Sequence, residues 1–280
     1  MKKSMDWKAA AAKEIGGIRG VAFDIDDTFS TEGFLTAEAY SSLWSLKRAG
    51  FSLVPITGRP AGWCDHFARF WPVDAIVGEN GAFTFFMQDG VRRRLDTPGG
   101  DPARAEKMAR LRATILREFP QAKFASDQLY RENDLAIDFC EDVPPWSRAE
   151  VDRLVEVCHR EGAHAKVSSI HVNTWYGEFD KKKGFQAWLD AGAPGLGRSF
   201  PAAFGVPPVE TAAPKLEEWI FAGDSPNDEP MFAYFPKSVG VANLANFIDR
   251  LKSPPTWMTS RPSGEGFREM AERLLELPRI

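Results

Sequence analysis

Apolar positions along the chain fall into two kinds of pattern. Short, nearly unbroken apolar runs occur at 19–24 (RGVAFD), 52–57 (SLVPIT), 74–78 (DAIVG), 218–222 and 238–241. Runs of this length suit strands buried on both faces. Between the first of them lie stretches with helical spacing. Tyr40, Leu43, Trp44 and Leu46 mark a helix within 36–50 that stops at Gly50, and Pro60 opens another that reaches about Phe70. Pro55 leaves a gap in the ladder of the second strand. Helices are also expected from Lys181 to about Ala191, from Asn227, and over 264–277. Strands alternating with helices are the grammar of a parallel sheet covered on both faces.

The middle third reads differently. Phe83 to Met87 and Val91 to Leu95, joined by Gln88-Asp89-Gly90, predict a β-hairpin with an Asp-Gly turn. Helices are expected over 102–118 and 147–161, and strands over 135–140 and 164–173. The expected fold class is α/β: a Rossmann-like parallel-sheet core built from 1–88 and 177–280, with an inserted α+β cap domain over 89–176. Residues 192–214, rich in Gly, Ala and Pro, carry no periodicity, and such a long connection suggests a mobile excursion or a piece of the site.

Composition narrows the function classes. With 280 residues, 44% apolar and 26% charged, the chain is an ordinary globular one, long enough to form a core without disulfide or metal staples. The net charge of -4 argues against a broad nucleic-acid-binding surface. No apolar run is long enough to span a membrane. Asp6, Lys8, Lys13 and Glu14 interrupt the apolar stretch that a secretory leader needs. Three scattered cysteines signal neither a disulfide framework nor a zinc site. A cytoplasmic protein acting on a small molecule is the expectation.

The candidate chemistry gathers at strand ends, where open α/β sheets place their sites. Asp24-Ile25-Asp26-Asp27-Thr28 ends the first strand, and its clustered acids repel one another unless a cation or proton relieves them. Gly223-Asp224-Ser225-Pro226-Asn227-Asp228 ends another strand, and two acidic strand ends facing each other across a crevice can hold a hard cation such as Mg²⁺. Thr57-Gly58-Arg59, before the proline-opened helix, offers a hydroxyl and free N–H groups for a phosphate. Lys181-Lys182-Lys183-Gly184 opens a helix behind the N-cap Asp180. Cations there oppose the helix dipole, a conflict that a phosphate-binding lysine would explain. Taken singly, each motif is equally an ordinary cap or turn.

In order and spacing, these four motifs together resemble the haloacid dehalogenase superfamily, in the branch whose cap is inserted between the second and third motifs. Glu79-Asn80-Gly81-Ala82 matches a sequence common in that branch, and GDSPND is similar to phosphatases of sucrose and mannosylglycerate phosphates. The resemblance implies a Mg²⁺-dependent phosphatase of a small phosphate ester, most readily a sugar phosphate. Asp24 would be the nucleophile, Asp26 the acid–base, and Thr57 and Lys183 the phosphoryl ligands. Metal would be held by Asp24, the Asp26 carbonyl and Asp224, with Asp228 in support. Thr28, Gly58, Arg59, Asn80 and Asn227 would line the substrate site. On the last cap strand, His171, Asn173 and Trp175 alternate onto one face and are candidates to read the leaving group. A phosphosugar mutase and a non-catalytic binding protein on the same fold are the alternatives. Position 27 is Asp where the family's commonest wording has Gly, so its side chain is expected to point away from the metal or to be paired. The stretch 192–214 is longer than the family core requires.

Overall fold

A computed structural model describes residues 4–168, 170–208 and 212–277. In chain order its strands are β1 (Met5–Asp6), β2 (Gly20–Phe23), β3 (Ser52–Pro55), β4 (Ala75–Gly78), β5 (Phe83–Gln88), β6 (Val91–Asp96), β7 (Lys123–Phe124), β8 (Asp134–Asp138), β9 (His164–Val167), β10 (His171–Trp175), β11 (Trp219–Gly223), β12 (Ser238–Gly240) and β13 (Trp257–Met258). The helices are α1 (Ala12–Ile15), α2 (Ala37–Arg48), α3 (Ala61–Phe70), α4 (Arg104–Glu118), α5 (Arg148–Arg160), α6 (Lys181–Asp190), α7 (Glu229–Tyr234) and α8 (Ser263–Leu275).

The apolar runs are what build the central sheet. Its order is β1-β13-β12-β11-β2-β3, and every neighbouring pair is parallel. Alternate residues of each strand enter opposite layers, which is why the runs are apolar throughout. Val21, Phe23 and Leu53 pack with α2 and α8 on one face, through Leu43, Leu46, Phe267 and Met270. Ala22, Val54 and Phe221 pack with α6 and α7 on the other, through Phe185, Trp188, Met231 and Phe232. A bridge from Ile56 to Val77 carries the sheet on to β4. From there β5 and β6 continue antiparallel.

The inserted segment folds around its own four-stranded antiparallel sheet, β7-β8-β10-β9. Leu135 and Ile137 of β8 and Val172 of β10 join Leu111, Ile115, Leu154 and Val157 of α4 and α5 in a separate apolar cluster. By the two-residue period of a strand, Asp134, Asp138, His171 and Asn173 are left for the opposite face, where His171 and Asn173 line the cleft above the carboxyl end of β2.

Three expectations change here. The stretch 164–173 is two strands, β9 and β10, paired antiparallel across a turn in which the Ser168 N–H donates to the His171 carbonyl. The boundary expected at 88/89 falls inside a hairpin: β6 pairs with β5 along its whole length, so the hairpin stays with the core strands. The excursion beyond Gly192 is neither loose nor part of the cleft, as far as it is described; 209–211 lie outside the described residues. Arg198 donates to the carbonyls of Ala68, Arg69 and Trp71 at the end of α3, and Trp44 stacks on Phe204. The two-residue strands β1 and β13 were not anticipated, being too short to carry a periodicity.

Candidate active site

Four chain segments converge at the carboxyl ends of β2 and β11. Asp24 follows β2 directly and is buried, with its Oδ1 accepting from the Ile25 N–H at 2.8 Å. Asp224 follows β11, and Asp228 lies one short turn beyond it. One oxygen from each of these three carboxylates lies within 4.8 Å of the others. Thr28 Oγ1 donates to Asp224 Oδ1 at 3.0 Å, and the Asp224 and Ser225 N–H groups donate to Asp228 Oδ2.

The lysine in this cluster is Lys181. Its Nζ lies 2.9 Å from Asp24 Oδ2 and 2.7 Å from Asp228 Oδ1, and the side chain is only 4% exposed. Lys183, the expected phosphate ligand, sits on the outside of α6 with its Nζ donating to the Glu178 carbonyl. This is a correction to the sequence reading, and its cause is helical geometry. Lys181, Gly184, Phe185 and Trp188 are the buried residues of α6, at i, i+3, i+4 and i+7, and this face leaves Lys183 outside. The apolar stripe is legible in the sequence; the family resemblance alone points to Lys183, two residues along. Gly184 has another task. A Cβ there would come within 2.7 Å of Gly81 Cα, and one on Gly81, at φ +105°, within 1.9 Å of the Asp180 carbonyl oxygen. These two glycines let the start of α6 press against the Glu79–Gly81 turn, which carries Lys181 into the cluster.

Burial and charge oppose each other strongly here. Removal from water pushes the Asp24 carboxyl up to about 7, with Asp228 and Asp26 adding to the rise and Lys181 opposing it. Asp224 is also pushed well up, by burial first and then by Asp228 and Asp24. Burial works against the charge on Lys181, yet its two carboxylate partners hold its pKa above the ordinary lysine value. Fully ionised, three carboxylates facing one ammonium would carry an excess of negative charge, which adds to burial in pushing Asp24 and Asp224 up. An all-oxygen donor set of this kind suits a hard divalent cation.

Asp26 points to the other side of the cleft, where Arg59 grips both of its oxygens, from Nη2 at 2.7 Å and from Nε at 3.0 and 3.1 Å. Asp27 adopts φ +54°, in the left-handed region where glycine is at ease, and its Oδ1 accepts from the Glu32 N–H. Thr57 is fully buried, and its Oγ1 accepts from the Arg59 N–H at 3.0 Å. Asn80, at φ +56°, donates weakly to Asp134 Oδ2 at 3.5 Å. Gly58, Arg59, Asn227, His171 and Asn173 all line the same cleft. Trp175, expected on that face, instead donates from its ring N–H to the Phe179 carbonyl at the segment's return to the core.

Several participants escaped the sequence reading. Asn243 donates to the Asp27 carbonyl and to Asp224 Oδ2 at 3.3 Å, from a short 3₁₀ helix, Ala242–Asn246, that carries no motif. Arg131 donates to the Gly58 carbonyl at 3.0 Å while paired with Asp127 and Asp134. Glu141 lies 2.9 Å from His171 Nε2, in a contact without hydrogen-bond angles, so that this buried nitrogen has no hydrogen-bond partner. Asn80 Oδ1 and Asn173 Oδ1 are likewise buried without partners.

No protein-family model matches the chain, and no curated protein matches it by sequence. Solved structures do match along almost its whole length. A putative HAD/COF-like hydrolase from Plasmodium vivax superposes with a TM-score of 0.67 at 16% identity, covering 94% of this chain and 97% of its own. The C-terminal domain of trehalose-6-phosphate phosphatase from C. albicans gives 0.65 at 12% identity, covering 94% and 93%. Sucrose-phosphatase from Synechocystis, solved with sucrose and phosphate, gives 0.59 at 16% identity, covering 91% and 97%. The chain has the haloacid dehalogenase-like fold. Within this fold the carboxylate cluster lies at the strand ends, and the inserted antiparallel sheet stands over it.

Proposed function

We propose that this haloacid dehalogenase-like protein is a Mg²⁺-dependent phosphatase of a small phosphate ester, with a sugar phosphate as the favoured substrate. The observation that carries the reading is Asp24 at the end of the central strand, within one cluster with Asp224, Asp228 and Lys181. A carboxylate there can attack phosphorus, while the ammonium beside it meets the charge that develops on the phosphoryl oxygens. The ester P–O bond breaks as an Asp24 oxygen bonds to phosphorus. The bond's electron pair goes to the leaving oxygen, which takes a proton from Asp26. Water then attacks the phosphorus of the aspartyl-phosphate and gives a proton to Asp26, freeing phosphate and the Asp24 carboxylate.

Asp24, Asp224 and the Asp26 carbonyl would hold the Mg²⁺. Asp228, already shared between Lys181 and two backbone N–H groups, would steady the cluster. The bound cation supplies positive charge to the phosphoryl group and to the attacking carboxylate. Thr28 keeps Asp224 oriented, and Thr57 braces the 57–59 loop. His171 and Asn173, from the inserted sheet, face the leaving group. Asn173 Oδ1, buried without a partner, favours a ligand that brings a hydrogen-bond donor of its own. We take the inserted unit as 97–176, a cap over the site. The three free cysteines suit a reducing, cytoplasmic setting.

A panel of phosphate esters assayed for phosphate release, with and without Mg²⁺, tests this reading. Release is expected only with the metal, and Asp24→Asn should lower it by about 10³-fold or more while the fold persists. Substantial turnover by a pure Asp24→Asn preparation would overturn the assignment.

A further inference from the structure

Arg59 belongs to the core loop after β3, yet its guanidinium faces carboxylates from both parts of the chain. On the core side it grips both Asp26 oxygens. On the side of the inserted segment, its Nη1 lies 3.8 Å from Asp127 Oδ2 and its Nη2 3.7 Å from Glu141 Oε1. The side chain is 12% exposed, and its guanidinium lies over the Trp63 ring, 5.0 Å from the centroid. Asp127 also pairs with Arg131, which binds the carbonyl of the neighbouring Gly58. The loop carrying Arg59 is therefore held from above as well as from below. A planar fork contacting both oxygens fixes a carboxylate's orientation, which a lysine, as a point charge, cannot do.

We propose that Arg59 is a positioning residue for Asp26, and that Asp127 and Glu141 of the inserted segment hold it in register, so that seating of this segment over the core sets the acid–base group. The proposal goes beyond the phosphatase reading and rests on the acid–base role given there to Asp26. As the ester bond breaks, the proton moves from Asp26 to the leaving oxygen, and the guanidinium faces the charge that appears on the carboxylate. Arg59 does not need to touch the substrate to act in this way.

The test is leaving-group dependence. A nitrophenyl phosphate departs with little need of a proton, whereas the alkyl ester glycerol phosphate needs one. Steady-state rates on both esters are measured for the unmodified protein, Arg59→Ala, Arg59→Lys and Glu141→Gln, with Tm measured alongside. Arg59→Ala and Arg59→Lys should lower kcat on glycerol phosphate by about 10²-fold and on the nitrophenyl ester by less than about 5-fold, with KM little changed. Glu141→Gln should shift the two esters in the same unequal sense by about 3- to 10-fold on the alkyl ester. Because Arg59→Lys keeps the charge, it guards against misreading a folding defect in Arg59→Ala. Equal losses on both esters, or a change in KM alone, would overturn the positioning role and leave the phosphatase reading standing. Failure of the unmodified protein to release phosphate from any ester would overturn both.

Discussion

Two lysines are buried against the central sheet, and they differ in what surrounds them. Lys47 of α2 donates to both oxygens of Asp74, at 2.6 and 2.7 Å, with both side chains wholly enclosed. Asp74 also accepts from the Leu53 N–H at 2.8 Å, so one cation meets one anion and their hydrogen bonds close on each other. Lys181 instead meets Asp24 and Asp228, with Asp224 in the same group. The first arrangement is neutral and complete. The second is short of positive charge and stands at the edge of a cleft. A balanced buried pair ties α2 to the sheet, whereas an unbalanced cluster waits for a charged ligand. Burial alone does not distinguish scaffold from site; the local charge balance does.

Removing Lys181 tests this contrast most severely. Lys181→Ala leaves Asp24 and Asp228 facing each other without compensation, and phosphate release should fall by on the order of 10²–10³-fold. Lys183→Ala, on the solvent side of the same helix, should stay within about 2-fold. Steady-state assays of the two variants in parallel check the assignment, and the reverse ranking would restore the register first read from the sequence. Removing the structural lysine should do the opposite. Lys47→Ala should cost about 3–5 kcal/mol of stability in denaturant titration, because an unpaired buried carboxylate remains. Turnover per folded molecule should be unchanged. A large loss of rate at full folding would blur the distinction between the two lysines.

A third buried charge sharpens the comparison with a smaller effect. Glu79 accepts from the N–H groups of Ala61, Glu132 and Asn133 and from the Asn133 side chain, and among the described residues it forms no ion pair with a lysine or arginine. Burial first, and Asp134 next, push its carboxyl from 4.5 up to about 7. Between those values the folded chain keeps a proton that the unfolded chain has lost, so stability falls as pH rises through that window. Glu79→Gln should flatten this slope by on the order of 2 kcal/mol between pH 4.5 and 7. Chemical denaturation at several pH values reads it directly, and an unchanged slope would mean that the four donors hold Glu79 ionised throughout.

The parallel core was legible because its strands are buried on both faces and its helices on one. Both conditions leave local periodicities in the chain, as in 19–24, 52–57 and 36–50. Asp24 and Asp224 could be placed at strand ends for the same reason. The split of 164–173 into β9 and β10 was harder to see, since β9 buries only Ala165 whereas β10 is buried throughout, and no common alternation marks the change. The stripe of α6 does hold the information that Lys181 faces inward, with Gly184, Phe185 and Trp188 on the same buried face.

The sequence by itself determined the α/β architecture, the strand-end acids and the inserted segment, since each follows from residue type and from spacing over a few positions. Only the tertiary structure decided which lysine closes the carboxylate cluster, that Asn243 supports Asp224 from 19 residues away, and that Arg59 meets Asp26 from one side and Asp127 and Glu141 from the other. Those contacts join segments with no common period. They exist because the packing of α6 against the Glu79–Gly81 turn, and of the inserted sheet over the strand ends, brings distant side chains within hydrogen-bonding or ion-pair reach.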